Sequence, residues 1–182
     1  YFNFRLYVNA LFTLNVGGDF IVTGGHIKFG HKLGKVIVNY WGNFNQTGGE
    51  VRAETTSGVT VNAYGVGKYI SATYSTGSGT DFNTDDMIFD IKSGANIYLN
   101  SPIPLSGSNY GDTTNCIFIV DGTLNCNGNI LSGFGTANFT LSPGGSLEIT
   151  DGNGITTAGT NLGSIQTPIR NFSTQGNYVY NE

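Results

Sequence analysis

Two cysteines have the most definite chemistry in this sequence. Cys116 and Cys126 are ten residues apart. Alternating apolar residues place Cys116 in phase with Phe118 and Cys126 in phase with Leu124, so we expect both sulfurs to face one narrow core. Outside the cell such a pair can form a disulfide; the alternative is two small buried thiols that pack as apolar groups. Zinc is disfavoured, because it takes four ligands in local pairs and the chain has only two histidines.

A short acidic turn is the second candidate. Asp151 and Asn153 lie in the sequence Asp-Gly-Asn-Gly, which could supply several of the about six to eight oxygens that calcium requires. These residue types also favour plain turns, and a turn is the interpretation we favour. Further acidic residues cluster at Asp81, Asp85 and Asp86. We predict no metal and no cofactor, with calcium at Asp151 and Asn153 as the alternative.

No residue set indicates catalysis. Enzymes that cleave polysaccharides on a β-helix usually expose carboxylates and cations together on one face, and glycosidases need two carboxylates at a defined separation. Here the eight Lys and Arg residues are scattered along the chain. The sequence also lacks a convincing Ser, His and Asp order for a triad. We therefore predict no catalytic residues and no enzymatic activity.

Charge and hydropathy exclude two further classes of function. The 182 residues include eight basic and twelve acidic side chains, which gives a net charge of −4. No cluster of basic residues could neutralise phosphates, so we predict no nucleic-acid binding. Apolar runs are too short for a membrane span, which takes about 20 residues. The chain starts and stops in strand-like sequence without a polar cap, so we expect it to be a segment of a longer repetitive protein.

A repeated phrase indicates the elements that must position all these residues. The segment 19–29 recurs 24 residues later as 43–53, with Phe20 matching Phe44 and a Gly-Gly pair in each copy. The strand before it repeats too, since Phe12, Leu14 and Val16 map onto Val36, Val38 and Tyr40. A fixed period of strands and glycine turns predicts an all-β parallel β-helix, or β-solenoid. An antiparallel sandwich of short strands is the alternative.

The later half repeats a unit of two strands joined by a glycine corner. Phe89, Phe118 and Phe139 begin its copies, and we align them with Phe20 and Phe44 as repeat starts. Each copy ends at an apolar residue that predicts a third strand, namely Ile103, Ile130 or Ile155. Coils of about 20–25 residues and protruding loops at 71–86 and 106–115 follow, within a single segment 1–182 whose residues 1–11 are less repeat-like. The corner glycines, expected to supply positive φ, are Gly24, Gly25, Gly48, Gly49, Gly94, Gly122 and Gly144.

Several aromatic residues fall outside the inward phase or in the predicted loops. Exposed rings can stack on sugar faces or form protein interfaces. Packing under a loop, or stacking along the solenoid, is the alternative and is favoured for Trp41, which follows inward Tyr40. The set comprises Trp41, Tyr64, Tyr69, Tyr74, Tyr98 and Tyr110.

These repeats resemble the glycine-rich repeat regions of giant surface proteins that the phylum Bacteroidota exports by type IX secretion. The matching runs lie at 42–49, 89–99, 122–133, 139–149 and 154–181. The resemblance implies an extracellular β-solenoid stalk, adhesin or matrix component, without catalytic residues to carry over. Asp112-Thr113-Thr114 is similar to the O-glycan acceptor pattern of this phylum, which makes Thr113 a glycosylation candidate.

The function expected from all this is a structural or adhesive protein at a bacterial cell surface: a stalk, an adhesin or a filament subunit. Its expected partners are further repeats or copies of the same chain, with surface glycans or the secretion machinery as others. Two alternatives remain. One is a carbohydrate-binding or polysaccharide-cleaving β-helix, and the other is a secreted passenger captured during export.

Overall fold

The computed structural model describes residues 3–5, 10–32, 34–55, 58–72, 81–83, 87–106 and 116–181. Within these ranges the regular structure is β-strand, in three sheets. Sheet A comprises β1 (Asn3–Arg5), β3 (Phe20–Lys32), β5 (Phe44–Thr55), β7 (Val66–Ala72), β8 (Asp81–Asn83), β10 (Asn96–Leu99), β13 (Thr123–Asn125), β16 (Ser146–Ile149) and β19 (Asn177–Tyr180). Sheet B comprises β2 (Phe12–Val16), β4 (Val36–Tyr40), β6 (Val59–Ala63), β9 (Met87–Ile91), β12 (Ile117–Val120), β15 (Asn138–Leu141) and β18 (Ile169–Phe172). Sheet C comprises β11 (Ile103–Ser106), β14 (Leu131–Phe134) and β17 (Ile165–Gln166).

The predicted parallel β-solenoid is confirmed. Each described strand pair is parallel, and a sheet B strand is followed along the chain by a sheet A strand before the chain returns one coil further on. The predicted register of the first repeat is also correct, since Phe12 pairs with Val36 and Val16 with Tyr40. Identical alternation in successive coils lets every backbone group in the ladder find a partner in the coil above or below.

The alignment of the phenylalanines between the two halves is wrong. Phe20 and Phe44 lie in sheet A, where Phe44 pairs with Ile70. Phe89 and Phe118 lie in sheet B, at the position that Val61 holds in the coil before. Period-two alternation identifies the face of a strand that points inward, but both sheets share that alternation. The pattern therefore could not distinguish one side of a coil from the next.

A third side completes the later coils, as predicted, although two of its residues were misassigned. Ile103 begins β11 and pairs with Leu131, which in turn pairs with Ile165. Ile130 therefore lies one position before its strand, and Ile155 lies in the segment 150–164 that connects β16 to β17. This connection is longer than those from β10 to β11 and from β13 to β14. A fixed number of residues after the preceding strand therefore places the third strand too early in the sequence.

The core is a narrow column filled by the inward residues of all three sheets. Phenylalanine rings stack along it within sheets A and B: the centroids of Phe89 and Phe118 are 6.0 Å apart, and those of Phe20 and Phe44 are 5.1 Å apart. Across the column, Phe44 meets Phe89 edge to face at 6.0 Å. Such pairs add roughly 0.5–1.5 kcal/mol beyond the burial of their area. Stacked rings therefore hold neighbouring coils in register.

The two predicted loops and the N-terminal segment are described only in part. In 71–86, residues 71–72 complete β7 and 81–83 form β8, which pairs with β5; the other residues lie outside the described ranges. In 106–115, only the first residue is described, at the end of β11. Within 1–11, β1 pairs in parallel with His26–Lys28 of β3 and so belongs to sheet A.

Candidate functional site

The outer corner between sheets B and A aligns one residue from each of the first five coils that have a sheet B strand. Each of these residues directly follows a sheet B strand, and the strand ends themselves are paired in register. Backbone hydrogen bonds continue that register: Trp41 N donates to Val16 O at 3.2 Å, and Lys92 N donates to Ala63 O at 3.0 Å. Neighbouring coils are about 4.8 Å apart, so the side chains form a row. We call it the corner row: Gly17, Trp41, Tyr64, Lys92 and Asp121.

An exposed aromatic pair forms the first part of the corner row. The rings of Trp41 and Tyr64 stack with centroids 5.0 Å apart and an angle of 15° between their planes. Both remain exposed, by 42% and 36%. The stacking along the solenoid that was favoured for Trp41 is thus present, and it leaves both rings at the surface. Single exposed apolar residues are common, but a stacked exposed pair offers a flat surface to a ligand.

A lysine between two carboxylates forms the second part. Lys92 Nζ lies 2.6 Å from Asp90 Oδ2 and 3.4 Å from Asp121 Oδ2. Burial raises the pKa of Asp90, and the hydrogen bond to Asp90 raises the pKa of Lys92. The same ammonium contacts both carboxylates, so the three side chains form one small cluster of ion pairs.

Asparagines form a ladder on the outer face of sheet B, beside the corner row. Asn39 Nδ2 donates to Asn15 Oδ1 at 2.8 Å, and Asn62 Nδ2 donates to Asn39 Oδ1 at 2.8 Å. Asp90 holds the next position in register, and its Oδ1 atom is buried without a hydrogen-bond partner. We did not single out these residues from the sequence, although the spacings of 24 and 23 residues follow the repeat.

Cys116 and Cys126 are both fully buried, at the inward positions predicted for them. They are not joined by a disulfide. Cys116 precedes its sheet B strand and Cys126 follows the sheet A strand of the same coil, so the width of the third side separates them. Four residues of strand span about 13 Å, whereas a disulfide needs Cα atoms within about 7 Å. Burial raises the pKa of the Cys126 thiol to about 12.

Asp151 and Asn153 form a turn. Asp151 Oδ1 accepts hydrogen bonds from Asn153 N at 2.8 Å and from Asn153 Nδ2 at 3.0 Å, and Asp151 O accepts from Gly154 N at 2.8 Å. The turn lines a shallow cavity of about 270 Å³ against Tyr180. These bonds engage one of the two carboxylate oxygens of Asp151 in the turn. Among the described residues, no three or more His, Cys, Asp or Glu side chains are grouped around a possible metal position.

The predicted corner glycines fall into three groups. Gly25, Gly49, Gly94 and Gly144 have φ between 73° and 84°, a conformation that disfavours other residues. Gly48 and Gly122 lack positive φ but lie against backbone carbonyls of the neighbouring coil, Thr23 O and Lys92 O. Gly24 has neither constraint. The predicted positive φ is therefore wrong for Gly24, Gly48 and Gly122. The predicted place at a corner between strands is wrong for the two Gly-Gly pairs, which lie inside β3 and β5.

Arg170 is an inward residue that sequence reasoning missed. It pairs with Phe139 in the register of sheet B, where the two preceding coils place phenylalanine. Its Nη1 donates to Thr156 O at 2.8 Å and its Nε to Thr167 O at 2.8 Å, and Nη2 lies 3.4 Å from Thr160 O. Burial lowers its pKa. The guanidinium thus ties the connection 150–164 to the end of the core.

The remaining predicted residues are less informative. Thr113 lies outside the described residues, as do Asp85, Asp86, Tyr74 and Tyr110, and only the backbone of Asp81 is described. Tyr69 and Tyr98 are half-buried and pair with each other in sheet A.

Comparisons of the chain with family models, with curated proteins and with solved structures find no match. Within the described part of the chain, no helix has the length and apolar character needed to cross a membrane.

Proposed function

We propose that the chain is an extracellular structural segment of a bacterial surface protein, which acts as a stalk or adhesin body. The observation that supports this most is the continuous parallel register of sheet B from β2 to β18. A fold of this kind is extended along one axis, because each coil adds about 4.8 Å and contacts only its neighbours. Such a body can hold a binding surface at a distance.

The side-chain ladders add to the suitability of this body for an exposed location. Asparagines on the outside link the first coils, and phenylalanine rings on the inside link the later ones. Local opening of a coil must break strand pairing in sheets A and B, and proteases need such opening. The low content of charged residues, 11%, is also compatible with a packed repeat rather than a solvated one.

We propose further repeats, or a second copy of the chain, as its structural partner. β2 and β18 are the outer strands of sheet B. The inward residues Phe12, Leu14 and Val16 of β2 are only partly buried, whereas their counterparts in β4 are fully buried. An uncovered strand of this kind can pair with another strand of matching register.

Labelling of intact cells tests the extracellular assignment. An antibody raised against the folded chain is applied to cells of the source organism before and after permeabilisation, with an antibody to a cytosolic protein as control. We expect the chain to be labelled on intact cells, where the control antibody gives no signal. Labelling that requires permeabilisation would overturn the proposal.

A carbohydrate-binding module is the second candidate function. The exposed stack of Trp41 on Tyr64 favours it, because aromatic faces at a protein surface suit the apolar faces of sugars.

A further inference from the structure

The tryptophan of the corner row has one covered face and one open face. Tyr64 stacks on the side that points toward the later coils. On the other side the row continues with Gly17, which has no side chain, and Gly18 follows it. A Cβ atom placed on either glycine would meet no atom within 4 Å. Among the described residues, the open face of Trp41 therefore borders an unfilled slot one coil deep.

A carboxylate stands at the rim of this slot. Asp19 is exposed, and its Oδ1 accepts hydrogen bonds from Asn43 N at 2.7 Å and Asn43 Nδ2 at 3.1 Å. These bonds lower the pKa of Asp19. Both hydrogen bonds go to Oδ1, and the charge of Lys68 also lowers the pKa of Asp19. Asp19 is also fixed against the chain next to Trp41, because a Cβ on Gly42 would collide with Asp19 Oδ1.

We propose that the open face of Trp41 binds a neutral sugar ring, with Asp19 Oδ2 accepting hydrogen bonds from its hydroxyl groups. The apolar face of a pyranose matches a flat aromatic ring, and an ionised, fixed acceptor beside it suits adjacent hydroxyls. The slot has the thickness of one coil, about 4.8 Å, which is comparable to the stacking distance in the Trp41–Tyr64 pair. A single sugar ring can therefore stack on Trp41 at the level of Gly17.

A sugar fits this slot better than an organic cation does. Cation recognition by aromatic rings is strong when the site is desolvated, as in a cage of several rings. Here one ring face is open to water, and Trp41 is 42% exposed. An apolar side chain of a protein partner would cover Asp19 without offering it a donor, which is unfavourable. Hydroxyl groups satisfy the carboxylate and leave the rest of the ligand in water.

The site rests on the second candidate function, carbohydrate binding, and does not depend on the structural role. A solenoid that binds no sugar could still be an extracellular stalk, and cell labelling would still detect it at the surface. Conversely, sugar binding could be present wherever the chain is located.

Intrinsic fluorescence tests the proposal, because Trp41 is the only tryptophan in the chain. The folded chain is titrated with a panel of neutral oligosaccharides: cello-, xylo-, manno- and chito-oligomers of three to six units. We expect a saturable change of Trp41 emission with at least one of them. Tetramethylammonium chloride serves as the probe for a cation site.

Three variants test whether the change in Trp41 emission comes from sugar bound in the slot. Gly17→Leu should fill the slot and abolish the change in emission, while the melting temperature stays that of the parent. Asp19→Asn should weaken binding by about tenfold, the loss expected for a hydrogen bond to a charged group. Ser142→Leu is the matched control, since Ser142 holds the equivalent corner position beyond Asp121, and it should bind like the parent.

The proposal is overturned by any of three results: no saturable response to any sugar of the panel, a response that Gly17→Leu leaves intact, or a response to tetramethylammonium alone.

Discussion

Asn62 and Asp90 face each other in neighbouring coils at the point where a ladder of side-chain amides ends. The two residues are paired in register. Asn62 Nδ2 donates a hydrogen bond to Asn39, and Asn39 Nδ2 donates one to Asn15. Asp90 has no amide group, so it cannot donate a hydrogen bond to Asn62 Oδ1. One carboxylate oxygen of Asp90 is buried without a partner.

Replacement of Asp90 by asparagine should therefore stabilise the protein. The new Nδ2 can donate to Asn62 Oδ1 and extend the ladder by one coil, and the new Oδ1 can still accept from Lys92. Lys92 also keeps its contact with Asp121. We expect Asp90→Asn to raise the free energy of unfolding at pH 7 by about 1 kcal/mol, the net value of one hydrogen bond. Urea denaturation measures the change.

The pH dependence of that gain follows from the pKa of Asp90. Its pKa is raised in the folded state by burial, so ionisation of Asp90 costs folding free energy above the folded pKa. The parent should regain stability relative to Asp90→Asn as the pH falls from 7 toward the unfolded value of about 3.9. Asn62→Asp, the matched control, breaks the ladder and should destabilise at pH 7. A parent more stable than Asp90→Asn at pH 7 would mean that the Lys92 ion pair outweighs the missing amide.

The two cysteines should be inert in the folded protein. Cys116 and Cys126 are fully buried, and a thiol with a pKa of about 12, as at Cys126, supplies almost no thiolate at neutral pH. We expect both to react with an aromatic disulfide reagent only after unfolding, with a total of two thiols per chain. A native protein that yields no thiols after unfolding without reductant would contain the disulfide considered from the sequence.

The sequence predicted the stacking of coils better than the shape of one coil. The match of Phe12 to Val36 follows from a direct repeat, and the structure has that register. The assignment of Phe20 and Phe89 to the same row failed because inward alternation is the same in sheets A and B. The sheet to which a residue belongs depends on where the chain turns at each corner. The number of residues between strands varies at these corners, so a fixed repeat length cannot assign the sheet.

The candidate site was predictable in its parts but not as a set. Trp41 and Tyr64 were identified as out of phase, yet only the register reveals that they share one corner with Lys92 and Asp121. Arg170 was treated as one of several scattered cations, because apolar alternation gives no reason to expect a charged residue at an inward position. Its hydrogen bonds come from the connection 150–164, whose path the local sequence does not determine.

Replacement by alanine should destabilise the protein at Gly49 but have little effect at Gly24. Gly49 has a φ of 73°, and a Cβ there would lie 2.5 Å from Gly25 O. A Cβ on Gly24 would meet nothing within 4 Å, and its φ is not positive. We expect Gly49→Ala to lower the free energy of unfolding by about 2 kcal/mol or more, and Gly24→Ala to change it by less than about 0.5 kcal/mol. Thermal melting of both variants distinguishes the two glycines, and equal losses would contradict the assignment of the strained position.

Arg170 should control the order of the connection 150–164 without controlling the solenoid as a whole. Its guanidinium reaches carbonyl oxygens of Thr156 and Thr160 as well as Thr167, and a planar group with five donors can do this where a single ammonium cannot. Arg170→Met removes every donor and Arg170→Lys retains the charge, so both should speed amide hydrogen exchange in residues 154–163 by about tenfold, with methionine the worse. Lys92→Met, which removes a cation from the corner row, should leave exchange in that segment unchanged. Faster exchange throughout all three sheets in Arg170→Met would instead mean that this inward charge stabilises the core itself, and rescue by lysine would mean that charge matters more than the geometry of the donors.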